Sequence, residues 1–90
     1  MHICALDGEK ITNRQTLHDT LSSSLDLPEW YGRNLDALYD CLTEIQEETE
    51  IWLLNEASLE KNLGSYLKSL LRVLHTVSQE NPNVRYRRAE

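Results

Sequence analysis

The spacing of apolar residues changes several times along the chain, and each change predicts an element. "HICALD" near the start is short, apolar and closed by Asp7-Gly8, which reads as a strand running into a turn. In "TNRQTLHDTLSSSLDL" Leu17, Leu21 and Leu25 recur every four residues, the signature of one helical face. Thr12 and Gln15 have capping-box spacing at its start, and Leu27-Pro28 should stop it, because proline disfavours helical backbone at the residue before it. A second helix is predicted from the N-cap residue Asn34 to about Ile45. At about 100° per residue, Leu35, Leu38, Cys41, Leu42 and Ile45 share an apolar arc, while Asp36, Tyr39, Asp40 and Thr43 lie on the other side.

After Glu47-Glu48-Thr49-Glu50, the continuous apolar residues 51–54 of "IWLLN" predict a strand covered on both faces. Helical periodicity then runs through Tyr66, Leu67, Leu70, Leu71 and Leu74, with a break at Gly64-Ser65 and an end at Asn81-Pro82-Asn83. In the closing "VRYRRAE", Val84 and Tyr86 alternate with arginines, as in a half-exposed edge strand. The order is strand, two helices, strand, two helices, strand. Helices between successive strands predict an α/β fold, a small three-stranded parallel sheet packed by about four helices.

Ninety residues at 40% hydrophobic content make one domain over residues 1–90, with little room for a separate substrate-binding unit. The N-terminus lacks a basic region followed by an apolar run, and no apolar stretch approaches the roughly 20 residues of a membrane span. A soluble, cytoplasmic protein with no membrane partner is expected. Cys4 and Cys41 fall in different elements without metal-ligand spacing, which predicts two buried thiols rather than a disulfide or a zinc site. The net charge of −6 is uneven: residues 1–50 carry eleven acids against three bases (−8), and residues 51–90 carry four acids against six bases (+2). An acidic front half argues against direct contact with nucleic acid phosphates and suits a basic partner.

Asp36 and Asp40 are the residues on which chemistry could rest. They can be read as an acid/base pair, half of a metal site, a face for a basic partner, or a solvated helix flank with Asp36 favourably placed in the first turn. A convex helix offers no dry pocket for catalysis, and no histidine lies on it to complete a metal set. By composition alone the solvated flank leads, partner binding follows and catalysis comes last. Trp30, with Tyr31 and Tyr39 nearby, moves the balance toward a binding surface, since aromatic residues beside acids typify interface hot spots. Tyr31 itself reads as a tucked core ring. His18, beside the leucine face of the first helix, reads as a packed, hydrogen-bonded residue, and Cys41 on the apolar arc as an unreactive thiol. Arg85, Arg87 and Arg88 read as charges that protect an edge strand.

"LPEWYGRNLDALYDCLT" closely resembles the barstar family of intracellular ribonuclease inhibitors, whose pattern at this place is LPEYYGxNLDALWDCLT. The likeness continues upstream through "DGEKITNRQTLHDTL" and is dense over residues 7 to 43. It implies the barstar fold and a non-enzymatic inhibitor without a cofactor, which binds one basic ribonuclease and occludes its RNA site with the second helix and the preceding loop. Residue by residue, it implies that Asp40 is the principal anion in the place of an RNA phosphate and Asp36 a second acid toward the basic rim. Trp30 stands where the family has a tyrosine that packs on the enzyme's catalytic histidine, and Tyr39 replaces a tryptophan. Gly32, Asn34 and Thr43 match the family pattern.

Three positions depart from it. Glu44 stands in place of a glycine, Ile45 in place of a tryptophan, and Thr76 where an interface glutamate is expected, so a third acidic contact is missing from the expected set. Such departures leave one alternative function, a barstar-like interaction module with a partner other than a nuclease.

Overall fold

The computed structural model describes residues 1–88. Three parallel strands, β1 (His2–Asp7), β2 (Thr49–Leu54) and β3 (Val84–Arg88), form one sheet in the order β1-β2-β3. Helices α1 (Arg14–Ser24) and α2 (Leu35–Thr43) connect β1 to β2, and α3 (Glu56–Leu63) and α4 (Ser65–Glu80) connect β2 to β3. This is the small three-stranded parallel sheet packed by four helices that the element order predicts. Among the described residues, no helix is long and apolar enough to cross a membrane.

Both crossovers advance across the sheet in the same direction, and with the usual right-handed sense that sets their helices on one face. Burial agrees: Cys4, Leu6, Ile51, Leu53 and Val84 are buried on the helix side, while Ile3, Ala5, Arg85 and Arg87 on the opposite side are exposed. The strand expected to be covered on both faces is therefore covered on one. In β2, Thr49, Ile51 and Leu53 are buried, but Glu50, Trp52 and Leu54 are only half-buried. Trp52 finds its cover within the sheet. Its indole N–H donates to Glu50 at 2.8 Å, and the Arg87 guanidinium sits 5.5 Å from its ring centroid. Arg87 is also 4.0 Å from Glu50. A cation over an exposed indole contributes about 0.5–1 kcal/mol, and an ion pair at that separation little or nothing, so the ring contact is the larger effect.

The cap of α1 also differs from expectation. Asn13, not Thr12, is the N-cap: its side chain accepts from Thr16 N at 2.8 Å, while the Thr16 hydroxyl accepts from Asn13 N at 3.0 Å. Asparagine ranks above threonine at this position, and a threonine hydroxyl takes the role usually given to glutamate or glutamine. At the other end α1 stops at Ser24, before the proline: Leu27 N donates to Ser22 O at 3.0 Å around Asp26, whose φ of 52° is left-handed. That is the helix-ending turn in which glycine is the common choice.

The core lies between the sheet and the helices, with Leu17 and Leu21 of α1, Leu38 and Leu42 of α2, and Leu70 and Leu74 of α4 fully buried. Gly8, just after β1, lets α3 close onto the strand; a Cβ there would come within 2.2 Å of Asn55 O. His18 is the one strongly polar side chain buried under α1, and it is hydrogen-bonded as expected. Its Nδ1 lies 2.5 Å from the Tyr31 hydroxyl and its Nε2 2.8 Å from the Tyr66 hydroxyl, which links α1 to the loop before α2 and to α4.

Candidate functional site

The acidic face is built on α2 and the loop that enters it. Leu38, Cys41 and Leu42 are buried against the core, with Leu35 and Ile45 packed on its margin, and this fixes the rotation of the helix. With that stripe inward, Asp36, Asp40 and Glu44 point to solvent and Thr43 is half-buried. Asn34 caps the helix, its side-chain oxygen accepting from Ala37 N at 2.8 Å while its Nδ2 donates to Gly32 O at 3.2 Å. Gly32 is exposed and has no unusual φ; a Cβ there would sit 3.2 Å from Asn34 Nδ2, so its smallness leaves room for the cap. The helix ends at Thr43 with Glu44 as C-cap, slightly earlier than its apolar arc predicts.

At the far end Asn81, buried after α4, donates through Nδ2 to Leu42 O and Ile45 O, both at 2.9 Å. Leu42 O belongs to the last turn of α2, whose carbonyls lack partners further along the helix, and Ile45 O lies in the segment just beyond the cap. Asn81 thereby pins the helix end and the residue that follows it to α4. The sequence pattern marks Asn81 only as a terminator of α4, and nothing in its local spacing signals this long-range role.

Trp30 and Tyr31 are neighbours with opposite fates. The Tyr31 ring is 6% exposed and held by His18, whereas the Trp30 indole is 71% exposed. Trp30 sits in the turn closed by Tyr31 N donating to Pro28 O at 3.0 Å, and with the Tyr31 ring anchored in the core the Trp30 ring is left outside. Tyr39 is half-buried on the opposite flank of the acids, and its hydroxyl donates to the Glu80 carboxylate of α4. That bond, together with the nearby acids, raises the phenol's pKa. Thr76 on α4 is exposed, as is Glu80 one turn further on. An acid therefore does flank α2 from α4, but from Glu80, which only the packing of α4 beside α2 brings to Tyr39.

The pairing of charges separates this face from the rest of the surface. Asp19 pairs with Arg33, Glu47 with His2, Glu48 with Arg85, Glu50 with Arg87 and Glu56 with Arg88. Asp36, Asp40 and Glu44 make no side-chain hydrogen bond or ion pair among the described residues, and neither do Asp26 and Glu29 in the loop before α2. Glu9 and Glu60 are also unpaired but lie elsewhere in the sequence. Thr43, placed beside Asp40, turns its hydroxyl onto the backbone, donating to Asp40 O at 2.9 Å. The Asp40 carboxylate is left open.

The setting does not suit acid/base work by the two aspartates. A concavity of about 650 Å³ does open at the first turn of α2, where a convex surface is expected, between Arg14, His18, Arg33, Asp36 and Tyr66. Asp40 is not part of it, so the two carboxylates share no enclosure. Arg14 stacks 4.1 Å from the Tyr66 ring centroid, and Arg33 is bound to Asp19. Among the described residues no group of three His, Cys, Asp or Glu side chains is placed to hold a metal ion. Cys4 and Cys41 are buried, and burial raises both thiol pKa values, that of Cys4 to about 11.

Comparison with known proteins gives matches that cover most of the chain. A family model described as Barstar (barnase inhibitor) matches residues 1–88. A protein of Bacillus subtilis (strain 168) named "Putative ribonuclease inhibitor YrdF" is 41% identical over 76 residues, which cover 83% of this chain and 84% of that relative.

Proposed function

The chain belongs to the barstar family, whose members are non-catalytic inhibitors, and from that premise we propose that it occludes the RNA site of a basic ribonuclease, one to one, in the cytoplasm. The observation that carries this reading is the pair of carboxylates, Asp36 and Asp40, unpartnered among the described residues, on a helix capped at Asn34 and pinned at Asn81. A carboxylate held on a rigid element imitates a phosphate oxygen and can accept two parallel bonds from an arginine. Because the helix is ordered before binding, little conformational freedom remains to be lost on contact.

In this reading Asp40 enters the place of the RNA phosphate among the enzyme's cations and Asp36 engages the basic rim. Trp30 lays its exposed ring on the catalytic histidine. Asn34, Gly32 and Thr43 shape the entry to the helix and the ground beside the anion. Tyr39 and Glu44 flank the two acids, and Glu80 supports Tyr39 in place of the acid missing at Thr76.

The test is titration of RNA cleavage by barnase and by the ribonuclease encoded beside this protein. Inhibition should saturate at equimolar protein with at least one of them. Asp40→Ala should cost at least about 2 kcal/mol, or roughly 30-fold in affinity, the ordinary threshold for an interface hot spot, to which barstar itself contributes an example. Inhibition unchanged by Asp40→Ala would sink the mechanism.

A further inference from the structure

A small notch opens beside the C-terminal turn of α2, next to the acidic face and separate from the large concavity at its first turn. It encloses about 160 Å³ and is lined on its apolar side by Leu25, Leu27, Pro28, Cys41 and Ile45. The exposed Trp30 borders it, and the carboxylates of Asp26 and Glu44 complete it. At roughly 30 Å³ per water, the space holds about five water volumes. That matches the heavy atoms of one long, unbranched side chain.

Its chemistry excludes most occupants. A partner's carboxylate would meet two unpaired acids and the C-terminal, negative end of α2. A purely apolar side chain would suit the lining but would leave the exposed carboxylates of Asp26 and Glu44 without a counter-charge. A lysine or arginine satisfies both requirements. Its methylene stem lies along the apolar lining, as such stems do on protein surfaces, and its head meets the carboxylates and the indole face. Cys41 registers the same field: its thiol pKa is raised by burial first, then by the Glu44 and Asp40 carboxylates. Glu44 is one helical turn beyond Asp40, so a partner covering Asp40 also covers the notch.

We propose that this notch, lined by Leu25, Pro28, Trp30 and Ile45 and fringed by Asp26 and Glu44, receives a lysine or arginine side chain of the ribonuclease and so selects among basic nucleases. The identity of the partner rests on the reading of α2 as a nuclease-binding face; the chemistry of the notch does not. Asp26 occupies a left-handed position where glycine is the common residue, and replacing it by glycine removes the charge without loss of the turn.

The experiment is NMR titration of the isotopically labelled protein with Nα-acetyl-lysine methylamide and its arginine, norleucine and glutamate counterparts. The lysine and arginine probes should shift the Trp30 indole N–H and the Cys41 and Ile45 amides, saturating in the millimolar range. Norleucine should shift them several-fold less and glutamate not at all. Glu44→Gln and Asp26→Gly should each weaken the lysine response several-fold while leaving the remaining spectrum in place, which shows that the variants are folded. Equal responses to lysine and norleucine, or no response to lysine at these resonances, would overturn the proposal. Inhibition of a ribonuclease, and its loss in Asp40→Ala, reads the parent reading instead, so either can fail while the other stands.

Discussion

His18 Nδ1 lies 2.5 Å from the hydroxyl of Tyr31, across a buried contact that joins α1 to the loop entering α2. The exposed Trp30 directly precedes the anchored Tyr31 in the chain, so a core hydrogen bond holds the backbone that carries a surface residue. Tyr31→Phe keeps the ring and removes the hydroxyl, which leaves an imidazole nitrogen buried without a partner. The expected loss is about 1–3 kcal/mol of unfolding free energy, measured by chemical denaturation. Dissociation from an inhibited ribonuclease should also become faster, as the loop is less firmly held.

Stability should decline on mild acidification because of the same histidine. Burial first, and the Arg33 guanidinium second, hold the His18 pKa below its ordinary value. The unfolded chain therefore takes up this proton before the folded protein does as pH falls through about 6.5. Its contribution to stability is complete above that pH and is lost progressively down to the depressed folded value. Asp7 and Glu56 have carboxyl pKa values lowered by Asn55 and Arg88 respectively, so their contributions disappear at more acidic pH. As pH falls below about 6.5, the slope should be shallower in His18→Gln than in the natural protein. Thermal unfolding across that range checks it, and equal slopes would remove His18 as the cause.

Asn81 should matter to both stability and binding. Asn81→Ala leaves the Leu42 and Ile45 carbonyls without their 2.9 Å donors and frees the Asn83 N–H that bonds Asn81 Oδ1 at 3.0 Å. Leu42 O keeps Ile45 N at 3.3 Å and Ile45 O keeps Asn83 Nδ2 at 3.4 Å, so the expected cost is that of the lost bonds, about 0.5–1.5 kcal/mol each. Because the end of α2 loosens, affinity for an inhibited ribonuclease should fall as well, although Asn81 is buried and lies off the proposed contact face. Denaturation and inhibition measured on the same variant test the two effects together.

Association should slow as salt rises. The front half of the chain carries a charge of −8, and Asp26, Glu29, Asp36, Asp40 and Glu44, on α2 and in the loop before it, form no ion pair among the described residues. Such a field speeds encounter with a basic enzyme, and it is screened over about 10 Å at 0.1 M salt. Stopped-flow measurement should show a several-fold fall in the association rate between low and physiological ionic strength, with a smaller change in dissociation. A rate independent of salt would count against electrostatic steering.

Every element was legible in the sequence because each rests on local information. The four-residue recurrence of Leu17, Leu21 and Leu25, the apolar arc of α2 and the break at Gly64 are properties of neighbouring residues, and they correspond to observed elements. The outward direction of Asp36 and Asp40 followed from the same arc, since a helix that buries Leu38, Cys41 and Leu42 has only one way to turn its acids. Local rules failed where two signals competed. Thr12 yielded the cap to Asn13, and the run at residues 51–54 looked covered on both faces because its hydrophobicity cannot show that Trp52 is sheltered by Glu50 and Arg87 from adjoining positions in the sheet.

The sequence by itself determined the element order, the family and the acidic face, all of which depend on residue identity and short spacing. The tertiary structure alone decided how that face is held and bordered. Tyr31 meets His18 across 13 positions, Asn81 reaches the end of α2 across 39 and 36, and Tyr39 reaches Glu80 across 41. The notch likewise joins the exit of α1 to the end of α2. No local periodicity encodes such pairs, because they exist only once the sheet and the packed helices have fixed the path of the chain in space.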